Sequence, residues 1–549
     1  MRTRAVTAVT LTIALTVGGL LQATAATGKA AVPIGALRAV HTLSTTATSA
    51  YDGGNWANPD PAYAYADGTG QLHVVTYDQT TNALTVTGYD PQSLTAVGDP
   101  TTISLSGWPA WGGFYAGPDG YFYVLVGRPN HDEDDTRDVV AVRRYDPSWS
   151  LVGTAYVKGG ATQGTIKGIY DPFDASAPHM VLVGNRLVVH MARTIYAVEG
   201  VHHQVNLTFE VNVDTMVATT FDELGGVSYS SHSFQQLVAM NGSNLVMVDQ
   251  GDAFPREIQL GVMANYPDQR TVVDYDLFDF NGEEGDNFTG ASVTSLISGP
   301  HGIVVLGDSI PQPDAPMGTL GSPDEQRNVF AIAADPATGT HTVDWLTDFA
   351  ANGRTGAMEP RAVQVGDDRY AVLFGVRQGQ HYHLEYRLID STGAVLASAS
   401  FPNVFYASIS DPVLVGQTIY WVGNVPGSGA STRAYLYGLD VTDPAAPALT
   451  DTQRDISPPP GTLTLRHKPR ITGTLLVGYF ASVTAGRWAP SPSRYRYQWY
   501  RNGHPIAGAN DTAHRFTRHD RGKRITVKVT VGTPGYHSAT ATTKPHRVH

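Results

Sequence analysis

An all-β chain, built as a seven-bladed β-propeller followed by a small β-sandwich, is the fold class this sequence predicts, and three observations predict it. Charged residues make up only 16 % of 549, while 57 glycines and 27 tyrosines accompany many Val and Thr, a composition suited to strands and tight turns. Short apolar runs bounded by Gly, Asn and Asp recur along most of the chain. The length also exceeds what one ordinary core holds, so several domains or a radial repeat are required.

The elements follow in chain order. Arg2 and Arg4 precede an uncharged apolar run from Ala5 to Leu21 and then Ala23-Thr24-Ala25, the order of a secretory signal peptide, which we place at residues 1–25. No second run long enough to span a bilayer follows, so an extracellular, secreted protein without a membrane span is expected. There is no cysteine, which excludes a disulfide framework, a thiolate metal site and a Cys nucleophile.

The propeller is placed at residues 32–452. Strands ending in an acidic residue or Asn close at Asp90, Asp146, Asn212, Asp276, Asp335, Asp390 and Asp440, at intervals of 56, 66, 64, 59, 55 and 50 residues. Upstream of each lies another apolar run: LHVVTYD, YFYVLVG, RLVVHMA, LVMVDQG, IVVLGDS, YAVLFGV and TIYWVGN. Four strands per unit, buried on both faces, fit propeller blades. A closed ring is preferred to a solenoid because no polar capping unit is visible. The segment from Val32 to Thr46 is expected to close the seventh blade.

Residues 453–463, with Ser457-Pro458-Pro459-Pro460, read as a stiff linker. Beyond it, residues 464–549 alternate apolar and polar positions around Asn502-Gly503 and Arg521-Gly522, as a small antiparallel sandwich does. Through Tyr497-Gln498-Trp499-Tyr500-Arg501-Asn502-Gly503 and Gly508-Ala509 this module resembles the disulfide-free immunoglobulin-like repeats of secreted actinobacterial surface proteins. The resemblance implies a core indole at Trp499 and a spacer or attachment role. More loosely, Gly112–Tyr121, Ser231–Phe234, Gly251–Arg256 and Gly285–Gly290 give the larger body a resemblance to a family of Gram-positive secreted propeller proteins, which carries over no activity.

The charge divides with the domains. Residues 1–455 hold 22 basic and 47 acidic side chains, while residues 456–549 hold 15 and 2, formal charges of −25 and +13. Two surfaces of opposite sign suggest two partners: a glycan or other cell-surface ligand on the propeller, and an anionic cell-wall polymer on the basic module. Nucleic acid is not expected as a partner.

Site residues are sought in the loops that a rigid scaffold presents at one rim. Blade three supplies His190, Arg193, His202, His203, Gln204 and Asn206, and blade four His232, Gln235, Asp249, Asp252 and Arg256. Read as a pocket, Arg193 and Arg256 fork to a carboxylate or sulfate and Asp249 and Asp252 accept sugar hydroxyls. The same residues also read as loop pins and interface side chains, Asp252 and Arg256 holding their own loop. Trp108 and Trp111 offer a ring to stack on a sugar or to bury between blades. Glu359 and Arg361 are expected to face them across the central channel.

No cofactor is expected, although the histidines permit a divalent metal and His131-Asp132-Glu133-Asp134-Asp135 permits calcium less well than it fits a solvated charge run. No G-x-S-x-G elbow, H-E-x-x-H helix or phosphate-cradling loop occurs. The reading favoured is a non-catalytic secreted protein recognising a glycan or other surface ligand through its top face. A polysaccharide hydrolase or metal-dependent lyase using the blade-three and blade-four cluster is the alternative.

Overall fold

Alternation and β-branched content make strands of nearly every apolar run, and among the described residues there is no helix. The computed structural model describes residues 57–549 except 80, 224–229, 254, 284–288, 311–326, 350–354, 379–380, 403, 405–409, 427–431, 450–453, 456–460, 490–491, 493 and 533–535. The expected signal peptide and the closing segment Val32–Thr46 therefore lie outside the described residues.

The body is β-propeller-like. Seven antiparallel sheets follow one another in the chain, running outward in sequence order except that in the third the short Asp171–Pro172 pairs with the same strand, Arg186–Thr194, as His179–Val183 does. Their first strands are Ala62–Ala66, Ala110–Ala116, His179–Val183, Ser233–Asn241, Ala291–Gly299, Thr355–Gly366 and Val413–Val415. The seven apolar runs quoted above all fall in second strands, such as Phe122–Gly127, whose every residue is buried. The outermost strands are wet: Ala96–Ser104 is exposed along almost its whole length.

The acidic punctuation misleads once. Asp276 belongs to the outermost strand of the fourth sheet, Val272–Asp279, whereas that sheet's third strand is Glu257–Met263, which carries no terminal acid. Next to the third strand of the seventh sheet lie two short pieces of chain, Ala448–Leu449 and Arg454–Asp455.

Burial explains the arrangement. Apolar clusters form between each sheet and the next, as Leu125, Val142, Leu187 and Phe209 do between the second and third. The last sheet also meets the first: Leu72 and Val74 pack against Tyr420, Val422 and Leu436, and the Tyr420 hydroxyl donates to Pro91 O at 2.5 Å. The C-terminal residues form a separate core around Trp499, Phe516, Val527 and Val529. Trp499 is fully buried, and its indole N–H donates to Asp511 O at 2.9 Å.

Candidate functional site

A cavity of about 500 Å³ is bounded by residues in, or leading into, the first strand of every one of the seven sheets, including Tyr63, Phe114, His179, Gln235, Thr294, Arg361 and Val413. It therefore runs along the axis about which the sheets are arranged. Polar residues stand where the strands begin, with Asp60, His179 and Asp411 preceding or opening theirs. Ala64, Ala66, Ala116 and Met180 follow further along.

At the polar end Arg361 is held by two carboxylates. Its Nη1 donates to Asp60 Oδ2 at 2.9 Å and to Asp411 Oδ1 at 2.8 Å, and its Nη2 donates to Asp60 Oδ1 at 2.9 Å. Burial works against the guanidinium's charge, but the paired carboxylates outweigh it and keep Arg361 protonated well above its ordinary range. Burial raises Asp60 against the pull of Arg361. It acts on Asp411 in the same sense, yet Arg361 and His179 bring Asp411 below its usual value. Tyr63 is pushed well up by burial and by both aspartates, so its hydroxyl stays neutral.

His179 opens the first strand of the third sheet at this end. Its Nδ1 lies 2.8 Å from Gln236 O and 3.0 Å from Ala177 O, and since carbonyls only accept, Nδ1 carries a hydrogen. In the neutral ring the lone pair is then on Nε2, the opposite edge of a residue that lines the cavity.

Glu359 stands beside the cavity, within electrostatic reach of Arg361 and Asp60. Burial foremost, with Asp308 and Asp60 adding to it against Arg361, pushes its carboxyl up to about 7. Its backbone is strained: φ is 52°, the left-handed region, and Pro360 follows it. The register skips from Met358 to Arg361 in this strand, so Glu359 sits in a bulge. Asp308 holds it there, accepting from the Glu359 N–H at 3.0 Å while its other oxygen accepts from Arg327 at 2.8 Å.

The cluster expected on the third and fourth blades is brought together, but it is sealed. His190, Arg193, Asn206, Asp249 and Asp252 are at most 2 % exposed. His190 joins Thr208 Oγ1 through Nδ1 at 2.8 Å and Asp249 Oδ2 through Nε2 at 3.1 Å, and Asp249 also accepts from Ser233 and Asn206. Arg193 donates to Val205 O at 3.0 Å and to Asn206 O. Gln204 caps Asp174 O and Ala175 O.

Rather than on rim loops, His190, Arg193, Gln204, Asn206 and Asp249 lie in second and third strands, whose two faces are both covered, and so form a polar seam between sheets. Asp252 and Arg256 pin their loop, as the second of the two sequence readings has it. Arg256 donates to Asp252 O at 2.8 Å and to Asn281 O at 3.0 Å, and Asp252 meets His232 Nδ1 at 2.9 Å. His202 stacks on Tyr170 with ring centroids 3.6 Å apart.

Trp111 is buried, stacks on Tyr77 and donates to Asp60 O at 2.9 Å, so its ring is core. Trp108 lies under Arg128 at 4.7 Å. The run His131–Asp135 disperses its charges, His131 on Asp171 at 2.9 Å and Asp135 on Lys167 at 2.5 Å. Among the described residues no group of three or more His, Asp or Glu is placed to hold a metal ion.

Of the expected site residues, Gln235 and Arg361 line the cavity and Glu359 stands near it. Sequence reasoning missed Asp60, Tyr63, His179 and Asp411. A signal was present: Asp60-Pro61, Pro178-His179, Glu359-Pro360 and Asp411-Pro412 each pair a titratable residue with proline at or just before a first strand.

No family model and no curated protein matches the chain. Among solved structures it is similar to a prolyl endopeptidase at 11 % identity, covering 86 % of this chain and 55 % of that one with a TM-score of 0.40. A puromycin-hydrolysing peptidase of Mycobacterium tuberculosis follows at 13 %, 83 %, 61 % and 0.40. A Synechocystis apocarotenoid oxygenase variant gives 12 %, 63 %, 73 % and 0.35. The chain thus spans little more than half the length of the peptidases it resembles. The expectation of a non-catalytic protein recognising a glycan is corrected here. The side chains at the centre of that recognition pocket, His190, Arg193, Asn206, Asp249 and Asp252, are closed off from solvent. The polysaccharide hydrolase or lyase drawn from the same cluster is set aside with it.

Proposed function

We propose that this protein is a seven-bladed propeller enzyme performing acid–base chemistry in its axial cavity, exported by the leader at residues 1–25 and followed by an immunoglobulin-like module. The ring of inter-sheet cores, closed by the contact of the seventh sheet with the first, supports the blade count. The Trp499 core supports the module.

One observation carries the functional reading. His179, with Nδ1–H tied to two carbonyls and the lone pair of its neutral ring on Nε2, lines a cavity that also holds the Arg361 carboxylate cluster. In the reaction class proposed, hydrolysis, Nε2 takes a proton from water as its oxygen attacks. Glu359, protonated below about 7, gives its proton to the leaving atom. Arg361 fixes Asp60 and Asp411 in place beside them.

A panel of p-nitrophenyl esters and p-nitroanilides tests this with wild type, His179→Gln and Glu359→Gln. Turnover is expected in wild type and should drop by roughly 10²–10⁴-fold in either variant. Because Glu359 must hold its proton, the rate should fall as pH rises through about 7. Turnover unchanged in His179→Gln, or none in wild type with any leaving group, contradicts the proposal.

A further inference from the structure

The cavity also discriminates by the hydrogen bonds it leaves open. Three of the four terminal N–H groups of Arg361 are engaged by Asp60 and Asp411, and its Nε is closed off from solvent, so it offers a ligand few donors. Beside it the cavity is lined by acceptors: His179, whose neutral ring keeps its lone pair on Nε2, and the carboxylate of Asp411, whose side chain is 51 % exposed, with the Tyr63 hydroxyl able to act either way. Asp60, Asp411 and Glu359 set three carboxyls against one guanidinium, so the polar end is negative whether or not Glu359 is protonated. Beside it Tyr63, Tyr65, Phe114 and Tyr115, from the first two sheets, supply an aromatic wall.

We infer that the axial cavity binds a small organic cation, an ammonium group on an aromatic or aliphatic body, with the ammonium at Asp411 and His179 and the body along the tyrosine and phenylalanine wall. A positive nitrogen meets the excess negative charge, the acceptors of Asp411 and His179 and the aromatic wall, and about 500 Å³ holds a ligand of that size. A carboxylate would meet acceptors and like charge. The inference rests on the reading of this cavity as the active site.

The test measures binding of phenethylammonium and of phenylacetate to the full-length protein by calorimetry at neutral pH and low salt. Phenethylammonium should bind and phenylacetate should not. Asp411→Asn, shown to be folded by its thermal melt, should weaken the ammonium at least ~10-fold. Equal or tighter binding of phenylacetate, no ammonium binding up to about 10 mM, or unchanged affinity in Asp411→Asn overturns the inference. The two readings fail separately. Ammonium binding without any His179-dependent turnover sinks only the proposed reaction. His179-dependent turnover of neutral esters without ammonium binding sinks only the ligand class.

Discussion

Asp249 and Glu359 are both carboxyls enclosed by protein, and their surroundings assign them opposite duties. Asp249 is 2 % exposed and meets Ser233, Asn206 and His190, so its charge is spent on holding two sheets together. Glu359 has a raised carboxyl within electrostatic reach of Arg361, which lines the axial cavity. Glu257 shows that a raised carboxyl alone is no sign of chemistry. Burial and the neighbouring Asp276 lift it to about 8, yet it sits 5 % exposed on a third strand, outside the lining of that cavity. Asp249→Ala should therefore cost about 3–5 kcal/mol, since it leaves His190 and Asn206 buried without their acceptor. Denaturant unfolding measures this, and a loss under about 1 kcal/mol would mean that the seam contributes little. From sequence the polarity of the seam was legible and its burial was not. A strand covered on both faces carries no alternation to tell inside from outside at His190 or Asp249.

At the scale of the element, the first strand of the sixth sheet, Thr355–Gly366, shows how a site is made from a ladder. Two residues, Glu359 and Pro360, are skipped in its pairing, and the bulge turns Glu359 into a left-handed conformation that only Asp308 and the packed neighbours sustain. Strain of this kind costs stability that a glycine would recover. Glu359→Gly should raise the unfolding free energy by about 1 kcal/mol while abolishing turnover of whichever panel substrate is found. A variant that is both less stable and equally active would remove Glu359 from the account. The second strands were legible because they are continuous apolar runs between turn residues, as in Phe122–Gly127. The third strand of the fourth unit was not, because it ends at Met263 without the acidic marker and Asp276 imitates that marker one strand later. The bulge had no sequence signature beyond Glu359-Pro360 itself.

For the whole molecule, the seven sheets bring together what the chain keeps far apart. Asp60 and Arg361 are separated by 301 positions in sequence and share two hydrogen bonds of 2.9 Å. No local reading finds such a pair; only the ring topology does, by setting the starts of the first strands around one axis. That is why the architecture could be read from a period while its site could not. The account depends most on one edge of one ring that lines the cavity, the Nε2 of His179, being an acceptor without hydrogen. Long-range ¹H–¹⁵N correlation spectra of ¹⁵N-histidine-labelled protein observe this directly, the His179 signals being those lost in His179→Gln. At a pH where the ring is neutral, hydrogen on Nδ1 and a bare Nε2 are predicted, as the contacts to Gln236 O and Ala177 O require. Hydrogen on Nε2 with a bare Nδ1 would contradict the account.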